Sequence, residues 1–411
     1  LFQAYSDWLI GVSAGLCAVG FASLTWLMPR CRQLFLDAGL SGRDMAKKDG
    51  RVIPEAQGVL AGAVYLCLLF AFIPLPFADA MLNNPVDFPH ADFVLFITAL
   101  LCVCCMLFLG FADDALNLRW LVKLVLPCVA SLPLLMVYYV NRGWTRVVVP
   151  LPLRPLLGVE SCELGPLYYA YMGMLAVFCT NAINIYAGVN GLESGQSLLI
   201  AGSLVVFNAL EAGGEFAYWH RLSLHLLLPY VGVCAALYRF NRYPAQVFVG
   251  DTFCYFSGML FAVAGILGHY SKTLLLFQLP QVANFALSIP QLFRLVPCPR
   301  HRLPRFDPAK DQLQPSTVEF CPARLSLLGR LCYLVASRIL APLRLVACKV
   351  ELRDGEERAS MTNLTLINAA LVLFGPMHEA KLTRLLLALQ IACTALAFAV
   401  RYPVARLFYG A

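Results

Sequence analysis

The chain has 411 residues, 60% hydrophobic and only 13% charged, with a mean hydropathy of +0.71. Soluble domains are roughly half apolar and about a quarter charged, so this composition excludes a disordered chain, a collagen-like repeat and an ordinary soluble enzyme. The formal charge is +7, from 31 Lys+Arg against 24 Asp+Glu; in so apolar a chain the excess reads as topogenic charge, and no nucleic-acid partner is expected.

A membrane-spanning helix takes about 20 mostly apolar residues. Ten segments fit, at 7–28, 58–81, 93–112, 120–140, 165–186, 195–211, 222–240, 252–268, 271–293 and 382–402. The first is preceded by no basic residue, so it reads as a span and not as a signal peptide. The eighth and ninth are separated only by Gly268-His269-Tyr270, which suits a tight helical hairpin. The expected fold is an all-α polytopic membrane protein of ten transmembrane helices, with a small α+β cytosolic insert between helices nine and ten. The divisions are 1–293 for spans one to nine and their loops, 294–381 for the insert, and 382–411 for span ten and the tail. The insert is too long for a plain loop. It holds alternating apolar stretches near 331–352, an Asp354-Gly355 hairpin signal, and an apolar run at 364–376 that is too short to span and is expected as a surface helix.

Basic residues orient these spans. Arg30, Arg32, Arg43, Lys47, Lys48 and Arg51 follow span one, whereas 82–92 holds no Lys or Arg and the connection after span nine is the richest in them. The positive-inside rule places the odd-numbered connections in the cytosol and both termini on the opposite side. Arg142, Arg146 and Arg154 in the fourth connection oppose this but are outnumbered. The sequon Asn363-Leu364-Thr365 then falls in the cytosolic insert and should stay unmodified. The sixteen cysteines are scattered, mostly in apolar runs, with no CxxC pair or Cys/His metal spacing, and read as small buried hydrophobes.

The dense polar motifs all fall on odd-numbered connections, hence on one face. Intramembrane charge is costly and usually functional, which makes this convergence informative. The first connection closes on Pro54-Glu55-Ala56-Gln57-Gly58 below a basic stretch. The third carries Asp113-Asp114 and Asn117, with Lys123 following in the next span. Adjacent carboxylates at a helix end suit a divalent cation or a proton from substrate, or simply a solvated terminus. In the fifth, Asn181 and Asn184 share a helix face before Gly188-Val189-Asn190-Gly191. Buried amides need partners, which a metal, a polar substrate or another helix supplies. The seventh ends on Gly250-Asp251, either a hard-cation ligand or a helix N-cap. The ninth opens Pro297-Cys298-Pro299-Arg300-His301-Arg302; arginines flanking a histidine suit a pyrophosphate or a basic topogenic flank.

Together these motifs resemble the polyprenyl-phosphate N-acetylhexosamine-1-phosphate transferase superfamily (glycosyltransferase family 4). The resemblance rests on Asp-Asp-x-x-Asn at 113–117, Asn-x-x-Asn-x-x-x-Gly-x-Asn-Gly at 181–191, Gly-Asp at 250–251 and the histidine loop at 300–302. The stretches 54–58, 108–114, 178–185, 247–256 and 297–302 are similar to the superfamily's eukaryotic branch, which also has a long ninth connection. The resemblance implies transfer of GlcNAc-1-phosphate from UDP-GlcNAc to dolichyl phosphate, blocked by tunicamycin, at the cytosolic face of the endoplasmic reticulum membrane with both termini lumenal. It implies Mg²⁺, with Mn²⁺ as a substitute, held by Asn184 and Asp251. Asp113, Asp114, Lys123, Arg300, His301 and Arg302 become the catalytic set. Asp44, Glu55, Trp120, Asn181, Gly188, Asn190, Phe248, Cys298 and Arg302 become the substrate-binding set. It further implies a homodimer, and a lipid-facing groove near spans four, five and nine. Arg43, Leu121 and Val122 depart from the family's usual residues. Two other readings are a relative acting on another polyprenyl phosphate, and an ion-coupled transporter. A transporter places its polar groups near the midplane of repeated halves; here they gather at one face and no repeat is visible.

Overall fold

The computed structural model describes residues 7–409 apart from 49, 84, 142, 300, 301, 354 and 355. Every segment expected to span is helical. The membrane region runs α1 (Asp7–Asp37), α2 (Gly58–Phe72), α3 (Pro74–Leu82), α4 (His90–Leu116), α5 (Trp120–Asn141), a short α6 (Arg154–Leu157), α7 (Pro166–Ile185), α8 (Leu192–Glu211), α9 (Ala217–Asn241), α10 (Gly250–Leu267), α11 (Ser271–Phe277) and α12 (Leu279–Leu292). Among the described residues, seven helical segments are long and apolar enough to cross a membrane, or eight if α11 and α12, bent by 79°, form one broken span. The chain is thus a polytopic, mainly helical membrane protein. Helices α7 and α8 are not among the seven; they carry Asn181, Asn184, Glu193 and Gln196, which spend apolar length on polar contacts. The bend at Gln278 precedes Pro280, and the α2–α3 break precedes Pro74, as expected where proline removes a backbone donor.

Helix α10 is the centre of the bundle. Every residue from Thr252 to Leu267 is buried, beneath α2, α4, α7 and α9. With no water to expel between apolar helices, close backbone approach supplies much of the packing. A Cβ on Gly110 of α4 would lie 2.5 Å from Thr252 Cα, and one on Gly258 of α10 would lie 2.2 Å from the Cys179 carbonyl oxygen. No larger residue fits either crossing.

After α12 the chain forms the insert, then α15 (Glu379–Ala399) and α16 (Ala405–Tyr409). Four small antiparallel sheets fill the connections: β1 (Ser41–Arg43) with β2 (Val52–Pro54), β3 (Arg146–Val148) with β4 (Ser161–Glu163), β5 (Arg305–Asp307) with β6 (Gln312–Gln314), and β7 (Thr317–Phe320), β9 (Glu356–Thr362) and β8 (Cys348–Arg353) in the order β7-β9-β8. The hairpin expected near 354–355 exists, with Arg353 opposite Glu356; its two turn residues lie outside the described residues.

The structure corrects two details of the insert. The stretch from 331 is not strand at its start, because apolar residues there recur at helical spacing. It forms α13 (Leu327–Val335) and a π-helical turn, Ala336–Leu340, and strand begins only at Cys348. The apolar run at 364–376 forms α14 (Leu366–Phe374), but it is not a surface helix. Ile367, Asn368, Ala369 and Leu371 are buried, and α14 packs on α12, α15 and β6. Polar residues of α12 hold it there. Asn284 Oδ1 accepts from Leu366 N at 2.9 Å, Ser288 donates to the Leu364 carbonyl at 2.8 Å, and Gln291 Oε1 accepts from Leu364 N at 2.8 Å.

The sequon asparagine belongs to this seam. Asn363 is 2% exposed, accepts from Gln291 at 2.9 Å and donates to Ser316 at 2.8 Å. Folded protein should therefore carry no glycan there, and glycosidase digestion should leave its mobility unchanged. Asn363→Ala orphans buried polar partners and should lower stability by about 1–3 kcal/mol, read as a lower thermal midpoint in detergent.

Candidate active site

The site begins with a helix end that must be satisfied inside the bundle. The first N–H groups of a helix have no partner within it. At α10 the Asp114 carboxylate supplies one: Oδ1 accepts from Asp251 N at 2.7 Å, and Oδ2 accepts from Thr252 N at 3.0 Å and from the Thr252 hydroxyl. Gly250 enters the helix at φ +75°, and a Cβ there would sit 2.3 Å from Asp114 Oδ2. Both the positive φ and the close approach require glycine.

This cap aims the next side chain. Asp251 Oδ1 accepts from Asn184 Nδ2 at 2.6 Å and Oδ2 from Lys123 Nζ at 3.0 Å. Lys123 also lies 2.8 Å from Asp113 Oδ2, which accepts from Tyr255 OH at 2.8 Å, while Asp113 Oδ1 accepts from Leu118 N at 2.9 Å. Residues far apart in sequence, from α4, α5, α7 and α10, thus form one bonded cluster. Asp113 is buried within it, whereas the Asp251 and Lys123 side chains are 25% and 23% exposed and face open space. Three carboxylates and one ammonium leave the cluster net negative, offset in part by the positive end of α10.

Two cavities share Asn184 as a lining residue. The first, about 270 Å³, is the more polar of the two and is lined by Asp44, Glu55, Gly188, Asn190, Phe248 and Asp251, among others. Its far wall is pinned by a second network. Asn190 Nδ2 donates to Asp44 at 2.9 Å, Asn190 N donates to Glu379 at 2.8 Å, and Lys47 pairs with Glu379 and lies 3.6 Å from Asp44. The second cavity, about 1070 Å³, is a largely apolar groove between α5, α7 and the end of α12, lined by Leu132, Gly173, Met174, Phe285 and Phe293, with Lys123 and Arg302 at its polar end. Arg302 Nη1 is buried with no hydrogen-bond partner among the described residues, and burial pulls the guanidinium's pKa below its ordinary value. An unpartnered buried cation at a cavity wall is a place for an anion.

The expected site residues therefore separate. Asp113, Asp114, Lys123, Asn184 and Asp251 come together as the cluster; Asp44, Glu55, Gly188, Asn190 and Phe248 surround the polar cavity. Asn181 lines the apolar groove and donates to the Val177 carbonyl at 2.9 Å. Cys298 is exposed, bonds the adjacent Pro299 carbonyl and lines neither cavity. Arg300, His301 and the Trp120 side chain lie outside the described residues. Sequence reasoning missed Tyr255 and Glu379. Glu379 had a legible signal, since a lone acid opening an apolar span is expensive unless partnered; Tyr255 had none.

Comparison with known proteins supplies the class and then the branch. Residues 96–269 match the family model for glycosyl transferase family 4. The UDP-N-acetylglucosamine–dolichyl-phosphate N-acetylglucosaminephosphotransferases of Saccharomyces cerevisiae and Schizosaccharomyces pombe are each 42% identical over 97% of this chain, covering 94% and 93% of their own lengths. The Dictyostelium discoideum enzyme of the same name is 39% identical over 96% of this chain and 90% of its own. The chain belongs to this eukaryotic group of glycosyl transferase family 4.

Two outcomes follow from the geometry. Gly250→Ala should collapse the Asp114 cap and abolish turnover, with a lowered thermal midpoint, whereas Gly173→Ala, in open groove space, should do neither. Burial, then the Asp114 charge, raises the Glu55 carboxyl above its ordinary pKa. Folding thus favours its protonated form, so its stabilising contribution is complete below the ordinary carboxylate pKa, ~4.3, and is lost as pH rises through the folded value. Glu55→Gln should melt above the parent at neutral pH, with the gap closing as the pH falls to about 4.

Proposed function

We propose that the chain transfers GlcNAc-1-phosphate from UDP-GlcNAc to dolichyl phosphate, giving GlcNAc-pyrophosphoryl-dolichol and UMP, the first step of lipid-linked oligosaccharide synthesis. The observation that carries this is the junction of the two cavities: a mixed chamber lined by acids, amides and an aromatic ring meets a long apolar groove at Asn184, beside Asp251 and Lys123. The two substrates differ most in polarity, and the site separates them by polarity.

A lipid-phosphate oxygen attacks the β-phosphorus of UDP-GlcNAc. The new P–O bond joins lipid to sugar phosphate, and the bond to the α,β-bridging oxygen breaks to release UMP. Asp44, Asn190 and Phe248 frame the uridine, with Gly188 holding the loop open to it. Lys123 and Arg302 stand at the groove's polar end to meet the lipid phosphate; Arg300 and His301 are assigned beside them by the family resemblance alone. Asp113 and Asp114 act here as positioning residues, because their oxygens are engaged by Lys123, Tyr255 and the α10 N-terminus.

The cluster suits Mg²⁺ or Mn²⁺. It is net negative, so two phosphate-bearing substrates need an added cation before they approach it. Among the described residues no group of three or more His, Cys, Asp or Glu side chains is placed to hold a metal. Asn184 and Asp251 both line the cavity and carry hard oxygen atoms; turned from their present contact with each other, they would hold a cation that takes its remaining oxygens from pyrophosphate and water. Such an ion, once bound, supplies charge stabilisation at the leaving phosphate.

The same reading includes ten spans, a catalytic face toward the cytosol, lumenal termini and residence in the endoplasmic reticulum. The one-ended gathering of the odd-numbered connections and the basic residues on them support it. A homodimer is carried over from the family resemblance.

The test is release of UMP from labelled UDP-GlcNAc by purified protein with dolichyl phosphate and Mg²⁺. Asp251→Ala and Asn184→Ala should each cut turnover by about 10²-fold or more, and chelation should abolish it. Undiminished turnover in both variants overturns the metal assignment, and no UMP from folded protein overturns the activity. Gly173→Phe should raise KM for dolichyl phosphate while sparing that for UDP-GlcNAc.

A further inference from the structure

The insert carries a helix that is apolar on two sides. One side of α13 and its π-helical extension, with Gly329, Tyr333, Ala336 and Leu340, packs onto the insert's own core of Val296, Phe320, Val346 and Met361. The other side presents Leu327, Leu328, Leu331, Leu334, Val335 and Ile339, each between 41 and 87% exposed. These recur at intervals of three and four residues, so they form one stripe. Scattered exposed apolar side chains need no explanation, but a continuous stripe of six in one helix does.

Position and charge identify what covers it. The helix sits where the last membrane segment before the insert ends. A Cβ on Gly329 would lie 2.3 Å from the Leu295 carbonyl oxygen, three residues beyond the end of α12, so α13 is clamped against the exit of a span. Leu292 and Phe293, at that same exit, line the apolar groove. From 320 to 350 the chain holds Arg324, Arg330, Arg338, Arg344 and Lys349 and no acidic residue. All four arginines are exposed. An apolar stripe with the exposed Arg330, Arg338 and Arg344 around it, held at the level where a span leaves the bilayer, matches the interfacial helix that buries its apolar face among acyl chains and sets its cations among anionic headgroups.

We propose that α13 docks the insert onto the membrane surface, with its leucine stripe in the acyl boundary and Arg330, Arg338 and Arg344 on anionic phospholipid headgroups. The docked helix holds the insert, and with it the loop bearing Arg302, over the mouth of the lipid groove. The site is separate from the catalytic cluster and does not depend on the reaction assigned to it.

Full-length Leu331→Trp and Leu334→Trp proteins are placed in nanodiscs of phosphatidylcholine, with and without phosphatidylserine. The parent's tryptophan signal is subtracted. The added tryptophan should be quenched by lipids brominated near the headgroup end of the acyl chain and shielded from aqueous iodide, more strongly when phosphatidylserine is present. Arg330→Gln, Arg338→Gln and Arg344→Gln should each shift the docked-to-undocked ratio by about fivefold in the anionic discs, the equivalent of roughly 1 kcal/mol per charge, and leave it unchanged in phosphatidylcholine. Quenching by iodide alone shows a solvated stripe and overturns the proposal. Silence to both quenchers shows a face covered by protein, as in contact with a second copy, and overturns it equally. Bromolipid quenching indifferent to phosphatidylserine and to the arginines overturns the anionic-lipid assignment.

Discussion

The capping of α10 by Asp114 is the contact on which the rest of the site depends. Helix α10, buried from Thr252 onward, begins beside a cavity inside the bundle, where its free N–H groups need partners. One carboxylate on a neighbouring helix satisfies two of them and a hydroxyl as well. That fixes the start of α10 against the end of α4, and the tight Gly110–Thr252 crossing fixes the depth. Asp251 is the second residue of α10, so its direction is no longer free. It points at Asn184 and Lys123, and through Lys123 at Asp113. A structural need of one helix end thereby orients the chemistry.

The same economy governs the charges. Burying an ion is costly unless a partner and hydrogen bonds compensate it. Lys123 bridges two carboxylates, and Lys47 lies between Glu379 and Asp44. Both networks contribute to the lining of the first cavity, and between them they involve the first, third, fifth, seventh and ninth connections. Arg302 stands apart, with a buried Nη1 that has no hydrogen-bond partner among the described residues, on the wall of the groove. Its charge is left for a ligand.

The insert is attached by polar contacts as well as by a shared apolar cluster. Asn284, Ser288 and Gln291 line one face of α12 at helical spacing and bond the backbone of 364–366, while Asn284 also donates to the Ile185 carbonyl beside Asn184. Polar residues in a membrane helix pay for themselves by fixing geometry. Here they connect a domain outside the bundle to the residue shared by both cavities. The sequence shows these residues only as interruptions of an apolar run, which is why α14 reads as a surface helix until its anchors are seen.

Much of this protein is determined by sequence alone, for a definite physical reason. Apolar length specifies helices in a bilayer, because every backbone group must be paired locally; all ten expected segments are helical. Motif spacing singled out Asp113, Asp114, Asn184 and Asp251 as candidates, since unpaired polar groups are costly in such a chain, and the fold brings them into one cluster. Which purpose each serves was decided by tertiary structure. Asp113 and Asp114 are neighbours in the chain and alike in chemistry, yet one caps α10 and the other holds Lys123. Asn181 and Asn184 share a face, yet one bonds its own helix and lines the apolar groove while the other reaches Asp251. Both line the groove, but only Asn184 also lines the first cavity. Local pattern carries no record of the partner that meets it from another helix, so those assignments, and the roles of Tyr255 and Glu379, exist only in the folded molecule.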